Sequence, residues 1–384
     1  MHTKRLLALT AAGAPILLAG AAGPGRAVDL YQAHYLYLGN DPSELQGPWT
    51  EECQGIAHDD GYWYINQVNA IWRTPVTTDL NQLGPSTPGH SYRALSTVTP
   101  LVNDGYDHLG DGCVHQEQGN GYLFLPIEVM DGGPPGVAAF HATAGLDYID
   151  HAAFNPSPSN ASWCAFDDEG SLFSSNFDPV SQLRRYSVNW NLLQQGSLSL
   201  HFEESVTLRD ENGAVLNVHH VQGGEFTADG SLLYLVADGI VVFDTATWRR
   251  VKQSTNGSGT FNFQFDPGFP NYQEPEGVTI WDLEGTGSPH TGELHVILLD
   301  NDALGDDVWL KHYTKVVRVD SAATGSEDGT PAHPFHSINS AYTQIWGGAE
   351  LRIQAGSYPL DHVSSYPSTV RWKAVGGTVR IGAP

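Results

Sequence analysis

Apolar residues come in short runs along this chain, and glycine, aspartate, asparagine or proline closes most of them. Tyr62-Trp63-Tyr64, Tyr122-Leu123-Phe124, Leu232-Leu233-Tyr234 and Ile240-Val241-Val242-Phe243 are typical. Runs of this kind, rich in β-branched and aromatic residues and bounded by turn formers, predict strands. No segment of ten or more residues before Asp320 repeats with the period of a helix, so no helical domain is expected.

The runs recur as a unit: a polar or acidic residue, a small residue, an apolar strand, an Asp/Gly turn and an aromatic-rich second strand. Copies start at Glu52-Cys53-Gln54-Gly55, Asp111-Gly112-Cys113, Trp163-Cys164-Ala165, Gln222-Gly223-Gly224-Glu225 and Glu274-Pro275-Glu276-Gly277. Between the anchors Gly55, Gly112, Cys164, Gly224 and Gly277 the intervals are 57, 52, 60 and 53 residues. That period fits one propeller blade with generous loops. The Asp60-Gly61 and Asp229-Gly230 pairs suit tight hairpins that need a positive φ. Third strands follow at Asn69–Arg73, Val137–Phe140, Leu183–Tyr186 and Ile240–Phe243. The predicted fold is all-β: a β-propeller of about five blades over residues 28–319, or six if Ser197–Arg209 begins another. An N-terminal strand at Ala33–Tyr37 is expected to pair with the last blade and close the ring, which removes exposed sheet edges.

After Val319 the character changes. Asp320–Pro331 reads as a turn-rich linker, Pro334–Ala341 as a short helix, and Thr369–Ala374 and Thr378–Gly382 as final strands. The segments "EDGTPAHPFHSI", "GGAELRIQAGSY" and "VRWKAVGGTVRIG" resemble the opening coil of pectin-lyase-like right-handed parallel β-helices. The resemblance implies a short β-helix-like segment over 320–384. It implies no lyase activity, because the coils that carry that chemistry have no counterpart here. A stub of this size has to rest on the propeller to bury its core. The propeller shows its architecture without pointing to a named family, although "EPEGVTIWD" is similar to Glu-Gly pairs of exported propeller hydrolases that hold a cation in the channel.

Charge narrows the partners. Lys and Arg total 18 against 43 Asp and Glu, a formal net charge of −25. Such a surface repels nucleic acid and anionic lipid, and it suits a soluble exported protein or one that binds cations. The start, Met1-His2-Thr3-Lys4-Arg5 followed by an apolar run from Leu6 to Ala22, has the form of a secretory signal peptide, expected over residues 1–27. No later run is apolar for long enough to span a bilayer. The protein is therefore expected outside the cell, as a monomer, meeting a small molecule or glycan. Its cysteines, Cys53, Cys113 and Cys164, permit one disulfide, Cys53–Cys113 or Cys113–Cys164, or three buried thiols.

In a propeller the innermost strands line a central channel, and the residues at their leading ends face its mouth. Here those residues are Glu52, Gln54, His108, Asp111, Trp163, Gln222, Glu274 and Glu276. Crowded carboxylates recruit a cation or raise one another's pKa. In one reading Glu52, Asp111, Glu274 and Glu276 hold a hard cation such as Ca²⁺, which prefers oxygen ligands. In another, His108, Asp111 and Glu276 perform acid–base catalysis on a substrate held by Gln54, Trp163 and Gln222. In a third, these side chains only cap strand ends and tie blades together. The acidic run Asp300–Asp307 lacks the EF-hand spacing and reads as a solvated loop.

The sequence contains no Gly-x-Ser-x-Gly elbow, His-Glu-x-x-His helix or phosphate-binding Gly-Lys-Ser/Thr loop, so serine hydrolase, zincin and nucleotide-dependent mechanisms lack support. The tryptophans Trp63, Trp72, Trp163, Trp281 and Trp309 suit sugar stacking or packing between blades. Two classes of function remain. The first is an exported cation-assisted hydrolase or lyase acting on a carbohydrate or ester at the channel. The second is a non-catalytic module that binds glycan or protein.

Overall fold

The computed structural model describes residues 33–130, 132–265, 273–301, 305–359, 361 and 369–382. The leader expected at residues 1–27 lies outside them. Strand β1 is Leu36–Asn40. Blade 1 comprises β2 Cys53–His58, β3 Tyr62–Gln67, β4 Ala70–Pro75 and β5 Ser91–Ala94. A short strand, β6 His108–Leu109, leads into blade 2, formed by β7 Cys113–Glu117, β8 Asn120–Glu128, β9 Gly136–His141 and β10 Tyr148–Ala153. Blade 3 is β11 Ala165–Phe166, β12 Ser171–Ser175, β13 Gln182–Val188 and β14 Leu200–Thr207. Blade 4 is β15 Gly223–Phe226, β16 Leu232–Ala237, β17 Gly239–Asp244 and β18 Arg249–Gln253. A small parallel pair, β19 Thr255–Asn256 and β20 Asn262–Phe263, follows. Blade 5 is β21 Gln273–Ile280, β22 Leu294–Asp300 and β23 Asp307–Thr314.

The ring therefore has five blades, and the Ser197–Arg209 segment supplies β14, the outer strand of blade 3, not a sixth blade. Strand β1 completes blade 5 by antiparallel pairing with β23, in the register Leu36↔Thr314 and Asn40↔Lys311. One blade is thus built from both ends of the propeller chain, and its outer edge is covered.

Sequence pattern follows position. Middle strands β16 and β17 are buried along their whole length because a neighbouring blade covers each face, whereas outer strand β18 faces solvent at both ends. Each pair of adjacent blades shares one apolar core. Ile56, Trp63 and Trp72 meet Trp281, Ile297 and Leu310 between blades 1 and 5, and Trp163 and Phe173 meet Phe226 and Leu235 between blades 3 and 4. The tryptophans are accordingly packing residues, and Trp63 and Trp163 have no solvent-exposed surface. Asx turns punctuate the hairpins. Asp59 Oδ1 accepts from Gly61 N and Tyr62 N, each at 2.8 Å, which organises that turn around a side chain. At Asp229-Gly230 the expected positive φ is present, 66° at Gly230.

The C-terminal segment forms a parallel sheet, β24 Val316–Val319, β25 Glu350–Tyr358 and β26 Arg371–Ile381. Between β24 and β25 stands a short helix, α1 Ile338–Tyr342, capped by the Ser337 side chain. The two final strands expected from sequence are one strand, β26, which carries Gly376 and Gly377 at positive φ within it. The sheet has its own core of Val317, Phe335, Ile338, Leu351 and Ile353. A fork from the Arg352 guanidinium to both oxygens of Glu284 fastens it to blade 5. Among the described residues no helix is long and apolar enough to cross a membrane.

Candidate functional site

The five innermost strands, β2, β7, β11, β15 and β21, contact one another in sequence around the axis. They approach so closely that side chains are excluded at the glycine anchors, whereas the blade 3 anchor, Cys164, packs its side chain into the core. A Cβ on Gly277 would lie 2.6 Å from Gly55 Cα and 2.7 Å from Asp111 Oδ1, and one on Gly224 would lie 2.5 Å from the Trp163 ring. This is the physical origin of the glycine period in the sequence.

Asp111 closes the axis. It is wholly buried, and its carboxylate accepts from Ile56 N of blade 1 at 3.1 Å, Gly224 N of blade 4 at 3.2 Å and Val278 N of blade 5 at 3.4 Å. Its backbone, on the way into blade 2, donates to Ser162 O at 2.8 Å and accepts from Cys164 N at 3.0 Å, which engages blade 3. One residue thus bonds to every other blade. Burial pushes the Asp111 carboxyl well above the usual carboxylate range, and the three backbone N–H groups pull against that rise. With this plug in place the axis consists of two separate mouths.

The mouth at the leading ends holds the predicted carboxylates. Glu276 is buried, and Gln222 Nε2 donates to its Oε1 at 2.9 Å. Its carboxyl is pushed well above its usual range, first by burial and then by its hydrogen-bonded neighbour Glu274, by Asp111 and by Glu52. Glu274 is exposed and accepts from Asn301 Nδ2 at 3.0 Å. Glu52 is also exposed, at a positive φ of 49°. Its N–H donates to Asp306 Oδ2 at 2.8 Å, and burial together with Asp306, Glu51 and Glu274 raises its carboxyl. Glu52, Glu274 and Glu276 therefore gather about one end of the axis, while Asp111 is taken up in the hub.

The other predicted residues are placed differently. His108 Nε2 bonds Gln54 Oε1 at 3.1 Å, joining blades 2 and 1, and burial lowers the imidazole pKa. Trp163 lies within the core between blades 3 and 4, its Nε1 donating to Ser175 Oγ at 2.8 Å, with no face open to a ligand. Cys53, Cys113 and Cys164 are unbridged thiols, and Cys113 and Cys164 are hydrogen-bonded neighbours. The acidic run 300–307 lies partly outside the described residues. Among the described residues no group of three His, Cys, Asp or Glu side chains is arranged to hold a metal ion.

The opposite mouth was not anticipated. There the trailing ends of β2, β15 and β21 meet β11 and the first residues of β7 around a cavity of about 210 Å³ whose lining includes His58, Cys113, Phe166, Glu225, Phe226 and Thr279. No motif marks these residues, which lie far apart in the chain. The only local signal is an acid, Glu225, inside an otherwise apolar strand. A larger groove of about 500 Å³ lies away from the axis, between blade 5 and the C-terminal sheet, beside Glu284, Arg318 and Arg352.

No family model and no curated protein matches this chain. Among solved structures it is similar to a GH43_1 enzyme from Xanthomonas citri, at 12% identity over 73% of this chain and 92% of that one, with a TM-score of 0.40. The same enzyme complexed with xylotriose gives 12% identity over 74% and 92%, with a TM-score of 0.41. The Dos1 propeller gives 11% over 66% and 57%, with a TM-score of 0.30. Likenesses this distant carry no argument about activity.

Proposed function

We propose that this propeller is an exported hydrolase whose active centre is the acidic axial mouth, with Glu276 as general acid and Glu274 as general base. One observation carries the reading: two hydrogen-bonded carboxyls on one strand sit in opposite environments, Glu276 buried and Glu274 exposed. Environments that drive paired carboxyls apart in pKa separate an acid from a base. Glu276 keeps its proton to higher pH, and Gln222 fixes its orientation. Asp111 is a positioning residue in this account, since its carboxylate is occupied by three backbone donors.

The chemistry follows from the contact between the two carboxyls. Displacement across a sugar ring uses carboxyls about 5 Å or more apart. A pair in hydrogen-bond contact suits attack by water on an acyl carbon, so an ester of an extracellular carbohydrate fits better than a glycosidic bond. Glu274 takes a proton from the attacking water as the C–O bond forms. The ester C–O bond breaks, Glu276 gives its proton to the departing alkoxide, and acid and alcohol leave. Proton transfer across the Glu274–Glu276 contact restores the starting state. The mouth is acidic and Ca²⁺ prefers oxygen ligands, so the cation belongs in the assay as an additive.

The test is turnover of acetylated polysaccharides, p-nitrophenyl acetate and p-nitrophenyl glycosides, with and without Ca²⁺, by the protein and by Glu276→Gln. The proposal expects ester cleavage that falls at least a hundredfold in the variant while the variant still melts in one cooperative transition. Saturable glycan binding without product formation would instead make the protein a binding module.

A further inference from the structure

We propose that the second axial pocket, where all five inner strands meet, binds a small primary ammonium ion with an apolar body, its N–H groups donating to Glu225 and His58. Every blade contributes to the wall: Ala57 and His58 from blade 1, Cys113 and Val114 from blade 2, Ala165 and Phe166 from blade 3, Glu225, Phe226 and Ala228 from blade 4, and Thr279 and Ile280 from blade 5. The pocket has no lysine or arginine in its lining.

The polar groups are tied into one chain. Ile280 N donates to Glu225 Oε2 at 3.0 Å, and Thr279 bonds the same carboxyl in the sense that favours its ionised form. The Thr279 hydroxyl therefore gives its only proton to Glu225. It contacts His58 Nδ1 at 2.7 Å, and having no second proton it accepts there. His58 is thereby held as the Nδ1–H tautomer, with a lone pair on Nε2. Stacking on Trp281, with centroids 4.7 Å apart and planes 13° apart, fixes the ring. Burial lowers His58 to about 4, so it is neutral at ordinary pH.

The pocket therefore presents two acceptors, the Glu225 carboxylate and His58 Nε2, among apolar and aromatic walls. A carboxylate buried without a cation is costly, and burial raises Glu225 to about 7. A ligand that brings a positive charge and several N–H donors supplies what the protein omits. A hydroxyl compound brings no charge, and a quaternary ammonium brings no donors. At about 30 Å³ for each water, the cavity holds about seven water volumes, the size of a small aliphatic amine. Phe166 and Phe226 stand in the lining, and aromatic side chains suit a cation and its alkyl body. The titratable groups that feel the Glu225 charge are Asp111 at the hub and Tyr35 from the segment before β1; His58 reaches Glu225 through Thr279, and Tyr234 stands beside it in register on β16.

Calorimetry on the full protein tests this with isobutylammonium chloride, tetramethylammonium chloride and isobutanol as probes. The proposal expects saturable binding of isobutylammonium at least tenfold tighter than of either control. Because binding ionises Glu225, it releases about half a proton at pH 7, seen as a heat that varies with buffer ionisation enthalpy. Affinity rises as pH increases from 6 to 8. Glu225→Gln, which retains an acceptor for Ile280 N, loses at least tenfold in affinity and all buffer dependence. Should that variant fail to fold, His58→Phe and proton release by the unmodified protein decide the matter. Equal binding of all three probes, no binding of isobutylammonium, or a buffer-independent heat overturns the proposal.

Discussion

Replacing Asp111 by asparagine removes one acceptor oxygen and no volume, so the response isolates the hub. The carboxylate accepts one N–H at Oδ1, from Ile56, and two at Oδ2, from Gly224 and Val278. The best asparagine rotamer puts its oxygen on the two-donor side and its amide nitrogen against Ile56 N. That leaves one buried donor unpaired, at about 1–3 kcal/mol, and weakens two charge-assisted bonds by about 1 kcal/mol each. Relief of the buried charge offsets part of the sum, and a net loss of about 2–4 kcal/mol is expected. In a chain of this length that lowers the melting temperature by about 3–5 °C. The exposed Asp60→Asn substitution serves as a control, with a change of about 1 °C or less. Thermal unfolding of both variants, followed by calorimetry and near-ultraviolet circular dichroism, reads the difference. Melting of Asp111→Asn within about 1 °C of the parent would show that the blades do not depend on this residue.

Three further outcomes follow. Gly277→Ala inserts a Cβ 2.6 Å from the Gly55 backbone, which no rotamer relieves, and soluble folded protein on expression should fall sharply, against an unchanged yield for Gly84→Ala, whose Cβ would meet nothing closer than 3.9 Å. Glu276 has a native pKa raised above its unfolded value, so its stabilising contribution is present at low pH and fades as pH rises through the native pKa. Melting curves from pH 5 to 9 should therefore show the parent losing stability relative to Glu276→Gln as pH increases. Arg352→Gln breaks the fork to Glu284, a partly exposed pair worth about 1 kcal/mol or less, so the propeller should melt nearly unchanged while amide exchange quickens in β24–β26.

Most of the propeller was legible in the sequence because the axis is narrow. Gly55, Gly224 and Gly277 recur where a Cβ would strike a neighbouring strand, and that regularity gives the blade count. Strand β1 was legible for a related reason, since blade 5 needs a fourth strand to cover β23. The gathering of Glu52, Glu274 and Glu276 followed from their place just ahead of or within the inner strands.

The rest was hidden for identifiable reasons. The donors that hold Asp111 are backbone N–H groups of Ile56, Gly224 and Val278, and no side-chain pattern announces them. Reading Asp111 as a residue facing the mouth missed that the glycines draw the strands in around it. Trp163 precedes an inner strand just as Gln222 does, yet its ring turns into the gap left by Gly224, so chain position did not fix its direction. The second pocket joins His58 to Thr279 and Glu225 across three blades, through single residues without a spacing rule. In the C-terminal sheet the Gly376-Gly377 pair looked like a break between strands, whereas parallel pairing with β25 carries β26 across it through a bulge.

The retention of a proton by Glu276 is the claim on which the proposed chemistry rests, and carboxyl ¹³C chemical shifts of glutamate-labelled protein followed against pH measure it most directly. The account predicts that, of the glutamate resonances titrating above the ordinary carboxylate range, Glu225 among them, one titrates well above it and is missing from Glu276→Gln. Loss from Glu276→Gln of only a resonance that completes its titration within the ordinary range would contradict it.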